Sequence, residues 1–330
     1  MPTSAPGTTW IRTVVGLGIS LVFLVITLSR VDLDLLGKAW QGIVPAMVVL
    51  AIVLSIAEVG VRAERWRLLL RPIAASTFLT AYGLLAIGHL GNAALPARLG
   101  DIARAVIAGS RLHASRTAVL GTIAVERGAD AGLLVAAGAV GIVAGYGAAL
   151  QGALVVLILS GAAVGLAVVG TAALLQRSAL GRTPFGARIR EYGRLAAGGA
   201  SALKDPWQSA RVVGLSLASF ALAILILQAS AWSLSLTLTL WQSAIVIAAV
   251  TLSTAIPAGP ASIGTYEFVG MTVMSTMGFT AEQSLMAVGL LHAIATLTPA
   301  CIGAASLWLM GVSLDIHPDR SPFRTRSSLP

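Results

Sequence analysis

Three strings in this sequence place ionisable side chains among residues that are otherwise apolar. AVLGTIAVERGADAGLLVAAG holds Glu126, Arg127 and Asp130. HLGNAALPARLGDIARA holds Arg98, Asp101 and Arg104, and AIPAGPASIGTYE ends on Glu267, with His292 in the apolar run that follows. A charge at the centre of a bilayer costs about 2.5–3.5 kcal/mol on insertion scales, so each must find a partner or face a cavity. Glu126 and Asp130 are four apart and share a helix face, with Arg127 beside them. Guanidinium groups can grip phosphate through charge-assisted bidentate bonds. Neighbouring carboxylates would keep the empty groove neutral or meet a cationic head group. The plainer reading is that Arg127 locks to Glu126, Asp130 or Asp101 and only holds helices together. On that reading Arg98 and Arg104 snorkel to a surface, and His292 and His89 are helix contacts instead of proton sites.

The elements that carry these residues are membrane spans. Hydrophobic residues make up 57% of the 330 and charged residues 11%, with a mean hydropathy of +0.89, which excludes an ordinary water-soluble domain. Uncharged runs long enough to cross about 30 Å of hydrocarbon recur along the chain. They fall at 13–29, 43–57, 131–175, 212–236 and 283–311, and the third is long enough for two passes with a turn near Gly145-Tyr146-Gly147. The expected architecture is all-α, with about six full spans. The first run ends in Ser29-Arg30-Val31-Asp32, so it reads as a retained helix and not a cleaved signal.

Two apolar stretches do not fit simple spanning. Residues 76–95 run into Pro96 and Gly100, and residues 242–256 run into Pro257, Gly259, Pro260 and Gly264. Proline and glycine halt a helix there. Inside a bilayer such a break is tolerated only where protein or a water-filled cavity satisfies the freed backbone groups. The broken stretches, about 76–116 and 242–282, read as re-entrant hairpins entering from opposite faces. Asp101 and Glu267 are 166 apart, and the same offset pairs Ala118 with Ser284, Glu126 with His292 and Asp130 with Thr296. That pattern predicts an inverted repeat with a site near the midplane. After each acidic residue the sequence reads as a linker into a long helix rich in small residues.

Net charge is +9, and its placement follows topology and not nucleic-acid binding. Arg62, Arg65, Arg67 and Arg71 read as a loop after the second span, and residues 176–211 form a second, cytoplasmic basic loop. Residues 1–10 read as a disordered tail, 11–312 as one transmembrane domain and 313–330 as a cytoplasmic tail, so that both termini are cytoplasmic. Cys301 is the single cysteine and the four histidines have no metal-ligand spacing, so no metal or cofactor is expected. No phosphate-binding loop, dinucleotide fingerprint or nucleophile elbow is present, and no soluble segment is long enough for a separate enzymatic domain.

The strings LPARLGD, ER-x-x-D and the Pro-Gly break leading to Glu267 resemble a flippase-like family related to the transmembrane region of lysylphosphatidylglycerol synthases. The resemblance covers about residues 10–312. It implies movement of charged or glycosylated lipids between leaflets, and in the family a basic residue is common about where His292 stands. In the synthases a soluble aminoacyl-transferring domain follows; this chain ends at Pro330, so aminoacyl-lipid synthesis is not expected. The expected function is a lipid translocase, not an enzyme, moving a phospholipid, aminoacyl-lipid or glycolipid. The alternatives are an intramembrane enzyme or accessory subunit of lipid or glycolipid biosynthesis, and a small-solute or ion carrier. The expected location is the bacterial cytoplasmic membrane. The expected partners are a membrane lipid, lipid-biosynthesis enzymes and a second copy of the chain.

Overall fold

The computed structural model describes residues 7–31, 42–141, 204–254 and 259–311. Pro257, the turn near Gly145, the loop residues 176–203, residues 1–6 and the expected tail 313–330 lie outside them, whereas Gly7–Trp10 of the expected first tail are helical. The described residues form nine α-helices, with no strand among them: α1 (Gly7–Leu28), α2 (Pro45–Leu70), α3 (Phe78–Ala94), α4 (Leu99–Arg111), α5 (Arg116–Gly141), α6 (Pro206–Ser233), α7 (Leu240–Ser253), α8 (Thr265–Thr276) and α9 (Ala281–Leu309). Three of these, α2, α6 and α9, are long and apolar enough to cross a membrane by length and composition.

Local chemistry explains where the helices start. Pro45 opens α2 and Pro206 opens α6, where a missing N–H costs nothing. Thr77, Asp205, Thr239 and Thr280 cap α3, α6, α7 and α9 through side-chain oxygens, and Gln242 and Gln283 complete reciprocal caps at the last two. Both breaks are short 3-10 turns, Pro96–Arg98 between α3 and α4 and Pro260–Ser262 between α7 and α8. The segment after each acidic residue is therefore helical and not a linker. Asp101 and Glu267 each sit in the first turn of a real helix, α4 or α8.

The helices form two matching series. In each, a long helix (α2 or α6) precedes a shorter one (α3 or α7), a proline-led turn, a short helix (α4 or α8) and a second long one (α5 or α9). Packing follows the same correspondence. One apolar core is made of α2–α5 around Trp66, Leu84 and Ile123, and another mainly of α6–α9 around Leu227, Val250 and Val288. The halves join where α2 lies along α6, where α3 lies along α9, and where α7 lies along α5. The Val44 N–H donates to the Ser233 carbonyl at 2.8 Å, so α2 and α6 run antiparallel.

Small residues permit these contacts. A Cβ on Gly303 would stand 2.3 Å from the Ala86 carbonyl oxygen of α3, and one on Gly100 would stand 2.2 Å from that of Gly88. The two broken turns touch each other, and α1 packs beside both. The Gly259 N–H donates to Ser20 Oγ at 2.8 Å, while Gly264 adopts φ +90° against the α1 backbone, a conformation and a closeness that suit glycine.

Candidate functional site

The charged side chains of the first half converge from α2, α4 and α5. Arg65, read from sequence as part of a loop, lies within α2 and is fully buried, as is Trp66 beside it. Apart from the lone Gly60, which a helix tolerates, nothing interrupts Glu58–Arg62–Arg65, a stripe at i, i+4 and i+7 that continues the helix beyond the apolar run. That stripe was the signal available in the sequence. Arg65 donates to Asp130 at 2.5 and 3.2 Å, to Glu126 at 3.3 Å and to Ser216 Oγ at 2.9 Å. The other oxygen of Glu126 accepts from Arg104 at 2.8 Å. Arg104 lies over the Trp66 ring at 4.5 Å, and the Trp66 indole donates to Thr122. Arg104 and Glu126 are each 1% exposed, so this Arg65–Glu126–Arg104 group presents no open face.

A second pair lies nearer the breaks. Arg127 is bound to Asp101 by three hydrogen bonds of 2.9–3.2 Å, and Asn92 donates to the same carboxylate at 3.3 Å. Glu126 and Arg127 are adjacent in sequence but turn to different partners, one into the packed core and one toward the first break. On α2, Arg62 donates to Glu58 at 2.8 Å and to Ser219 at 3.1 Å. Neither Arg62 nor Glu58 was a site candidate from sequence.

Arg98 stands apart. It caps α4 in the left-handed conformation, φ 56° and ψ 34°, and its guanidinium donates to the hydroxyl of Thr254 at the end of α7. Arg62, Arg65, Arg104 and Arg127 each bridge a carboxylate, whereas Arg98 has a salt bridge to none among the described residues. Its electrostatic neighbours are Arg62, Arg127, Asp101 and Asp130. Five guanidiniums, those of Arg62, Arg65, Arg98, Arg104 and Arg127, thus face the four carboxylates of Glu58, Asp101, Glu126 and Asp130. Among the described residues one positive charge is left over, at the junction of the two broken turns.

Near the second break the described residues bring Glu267 and His292 together. His292 Nδ1 lies 2.5 Å from Glu267 Oε1 and its Nε2 lies 2.9 Å from the Ala261 carbonyl, while its ring stacks on Tyr266 at 4.1 Å. Glu267 is the third residue of α8 as Asp101 is of α4, and His292 is the twelfth of α9 as Arg127 is of α5. The pair Glu267–His292 therefore occupies the place of Asp101–Arg127. The offset of 166 matched Glu126 with His292; helix register matches Arg127 instead. Of the helix-breaking residues, Pro96 and Pro260 begin the two turns, Gly100 touches α3, Gly259 and Gly264 touch α1, and Pro257 lies outside the described residues. Among the described residues no group of three His, Cys, Asp or Glu is placed to hold a metal ion.

A family model described as the lysylphosphatidylglycerol synthase TM region matches residues 13–303, nearly the whole chain. The chain belongs to this family. Membership links it to lipid biosynthesis or transport in a membrane, in keeping with its apolar helices. No curated protein and no solved structure matches the chain. Within the family frame the ER-x-x-D string divides its work: Glu126 and Asp130 receive Arg65 and Arg104 from the core, and Arg127 faces Asp101.

Proposed function

We propose that this protein translocates an anionic or glycosylated lipid between leaflets and that Arg98 is the cation that meets the lipid phosphate. The observation that carries the reading is the surplus charge at Arg98. A phosphate crossing hydrocarbon fails for want of a partner when desolvated, and Arg98 is a guanidinium that needs an anion. The locked Arg65–Glu126–Arg104 group has no face to offer a ligand, so in this reading it holds α2, α4 and α5 together. Asp101 and Arg127 steady the first break beside the site, and the acyl chains stay in lipid.

The topology of the proposal is a pair of re-entrant hairpins in an inverted repeat. It is supported by the matched helix series, by the contact between the broken turns and by the distribution of charge. Arg67, Arg71, Arg111, Arg116, Lys204 and Arg211 fall at helix ends of one face; Arg111 there donates to the Met310 carbonyl at 2.6 Å, and Glu64 feels both Arg71 and Arg211. At that face α3 begins and α4 ends, whereas α7 begins and α8 ends near the opposite one, which has few charges. Exposed Trp207 and Trp308 lie toward the basic face, and exposed Trp232 and Trp241 toward the other, as interfacial aromatic belts do. The basic face is then cytoplasmic, with both termini on it.

The test is reconstitution into liposomes carrying a labelled anionic phospholipid, with leaflet exchange followed by quenching from outside. Exchange faster than in protein-free vesicles is expected. If every lipid class tried exchanges only at the protein-free rate, the translocase reading fails and an accessory role in lipid synthesis takes its place.

A further inference from the structure

The Glu267–His292 contact differs in kind from the Asp101–Arg127 pair whose place it takes. Nε2 of His292 faces the Ala261 carbonyl at 2.9 Å, and a carbonyl can only accept, so Nε2 carries a hydrogen. Nδ1 and Glu267 Oε1 are 2.5 Å apart, a separation that requires a hydrogen between them. The pair therefore holds one proton beyond those of a neutral imidazole and a free carboxylate, and it is neutral overall. If that proton leaves, the imidazole has one hydrogen for two acceptors, so it gives up either the Glu267 carboxylate or the Ala261 carbonyl, and that contact opens. The Asp101–Arg127 pair has no such second state, because a guanidinium stays protonated.

We infer that the Glu267–His292 pair is a proton-binding site that couples lipid movement to a proton gradient, an inference that rests on the translocase reading above. The pair is wired to the broken turn. Glu267 Oε2 accepts the Gly264 N–H at 2.7 Å, and His292 holds the carbonyl of Ala261, which with Ser262 is left-handed, at φ 54° and 59°. With the proton present, His292 ties the Pro260–Ser262 turn to α8. With the proton gone, one of those two ties is lost, and the bridge from α8 through His292 to the turn is broken where that turn packs against the Pro96–Arg98 turn. The side chains of His292 and Glu267 are 9% and 13% exposed, so the pair is not sealed inside the packed core.

The surroundings supply few competing groups. Tyr266 stacks on the imidazole with the ring planes 16° apart. From α2, Glu58 and Arg62 act on Tyr266, and they are already paired with each other. Arg30, just past α1, lies over Phe268, and Arg98 stands in the facing turn. His89 of α3 lies among Arg62, Arg104, Arg127 and Glu126. No ionisable residue lies on α7, and on α6 only Arg211, near its start.

The experiment uses full-length protein in liposomes with the membrane potential clamped at zero and a labelled anionic phospholipid. The readout is the steady-state ratio of label between leaflets, with and without a pH difference of about one unit. One proton per lipid skews that ratio by up to about tenfold per unit, since a pH unit is a tenfold difference in proton activity. A skewed ratio is expected for the wild type and an even one for His292→Arg, which keeps a cation against Glu267 but cannot release a proton. Should that variant not fold, the double variant Glu267→Gln/His292→Gln, which has no titratable group at this place, carries the same expectation. A wild type that exchanges lipid but distributes it evenly under the gradient overturns the coupling and leaves the translocase reading intact. A folded variant with the wild-type skew overturns the coupling too. A wild type that exchanges no lipid overturns both.

Discussion

Replacing Arg98 with glycine separates binding from folding better than any other single change in this molecule. A residue with a Cβ in the left-handed region is held there at about 1–2 kcal/mol, and Arg98 sits at φ 56°. Glycine removes that strain, while its freer unfolded chain gives back about 0.4–1 kcal/mol. The variant also loses the hydrogen bond to Thr254, worth about 1.5–3 kcal/mol for a charged donor. The net change in stability then lies between nothing and a loss of about 3 kcal/mol, which leaves the bundle folded. Transport responds differently. If Arg98 grips phosphate, its removal deletes a charge-assisted bond of about 1.5–3 kcal/mol, and exchange slows roughly ten- to a hundredfold. The assay is leaflet exchange of labelled anionic phospholipid per folded protein, with thermal unfolding of the same sample as control. Arg98→Lys, which keeps the charge but loses the fork, should fall between the two. An Arg98→Gly protein that exchanges lipid at the wild-type rate would falsify the assignment, because it leaves the surplus charge without a function.

Three further outcomes rest on the same geometry. Glu126→Gln leaves Arg104 without its buried carboxylate partner, at a cost of about 3–5 kcal/mol, so the yield and melting temperature of purified protein should drop sharply; normal melting would show that the group is not a lock. Arg127→Lys loses the three-bond contact with Asp101 and should lower stability and exchange together, whereas loss of exchange at full stability would move the phosphate contact from Arg98 to Arg127. In a Cys301→Ala background, Lys204→Cys should react with a membrane-impermeant reagent only from the cytoplasmic side, and labelling from outside would invert the proposed topology.

Much of the frame was legible because bilayers impose strong rules. Long apolar runs, proline-led breaks and the placement of arginine all leave marks in one dimension, and α6, α9 and both broken turns fall where those marks stand. The illegible part depends on register and partners. Arg65 looked like the edge of a span because arginine usually marks a membrane surface; only the approach of Glu126 and Asp130 from α5 makes its burial affordable. The pairing of Arg127 with His292 was hidden by a single residue. The short helix is 13 residues long in the first half and 12 in the second, so an offset set on the acidic residues slips by one before the long helix begins. A slip of one residue turns a helix by about 100°, enough to exchange a core-facing carboxylate for a cation facing the break.

That turn also explains why two adjacent residues, Glu126 and Arg127, serve separate ends. Burying Arg65 and Arg104 requires carboxylates that water and ligand cannot reach, since a shared anion that could be drawn away would strand two cations in the core. Binding a lipid requires the reverse, a cation whose anion can come and go. A single cluster cannot meet both demands. The chain divides them, with Glu126 held between Arg65 and Arg104 at 1% exposure and Arg98 left to a neutral hydroxyl on the other half of the molecule. With the locked group closed to ligand, an arriving phosphate would, on the translocase reading, have one guanidinium to neutralise. On that reading the bond it displaces is the one joining the first broken turn to α7, so lipid binding and the contact between the two halves would compete for the same side chain.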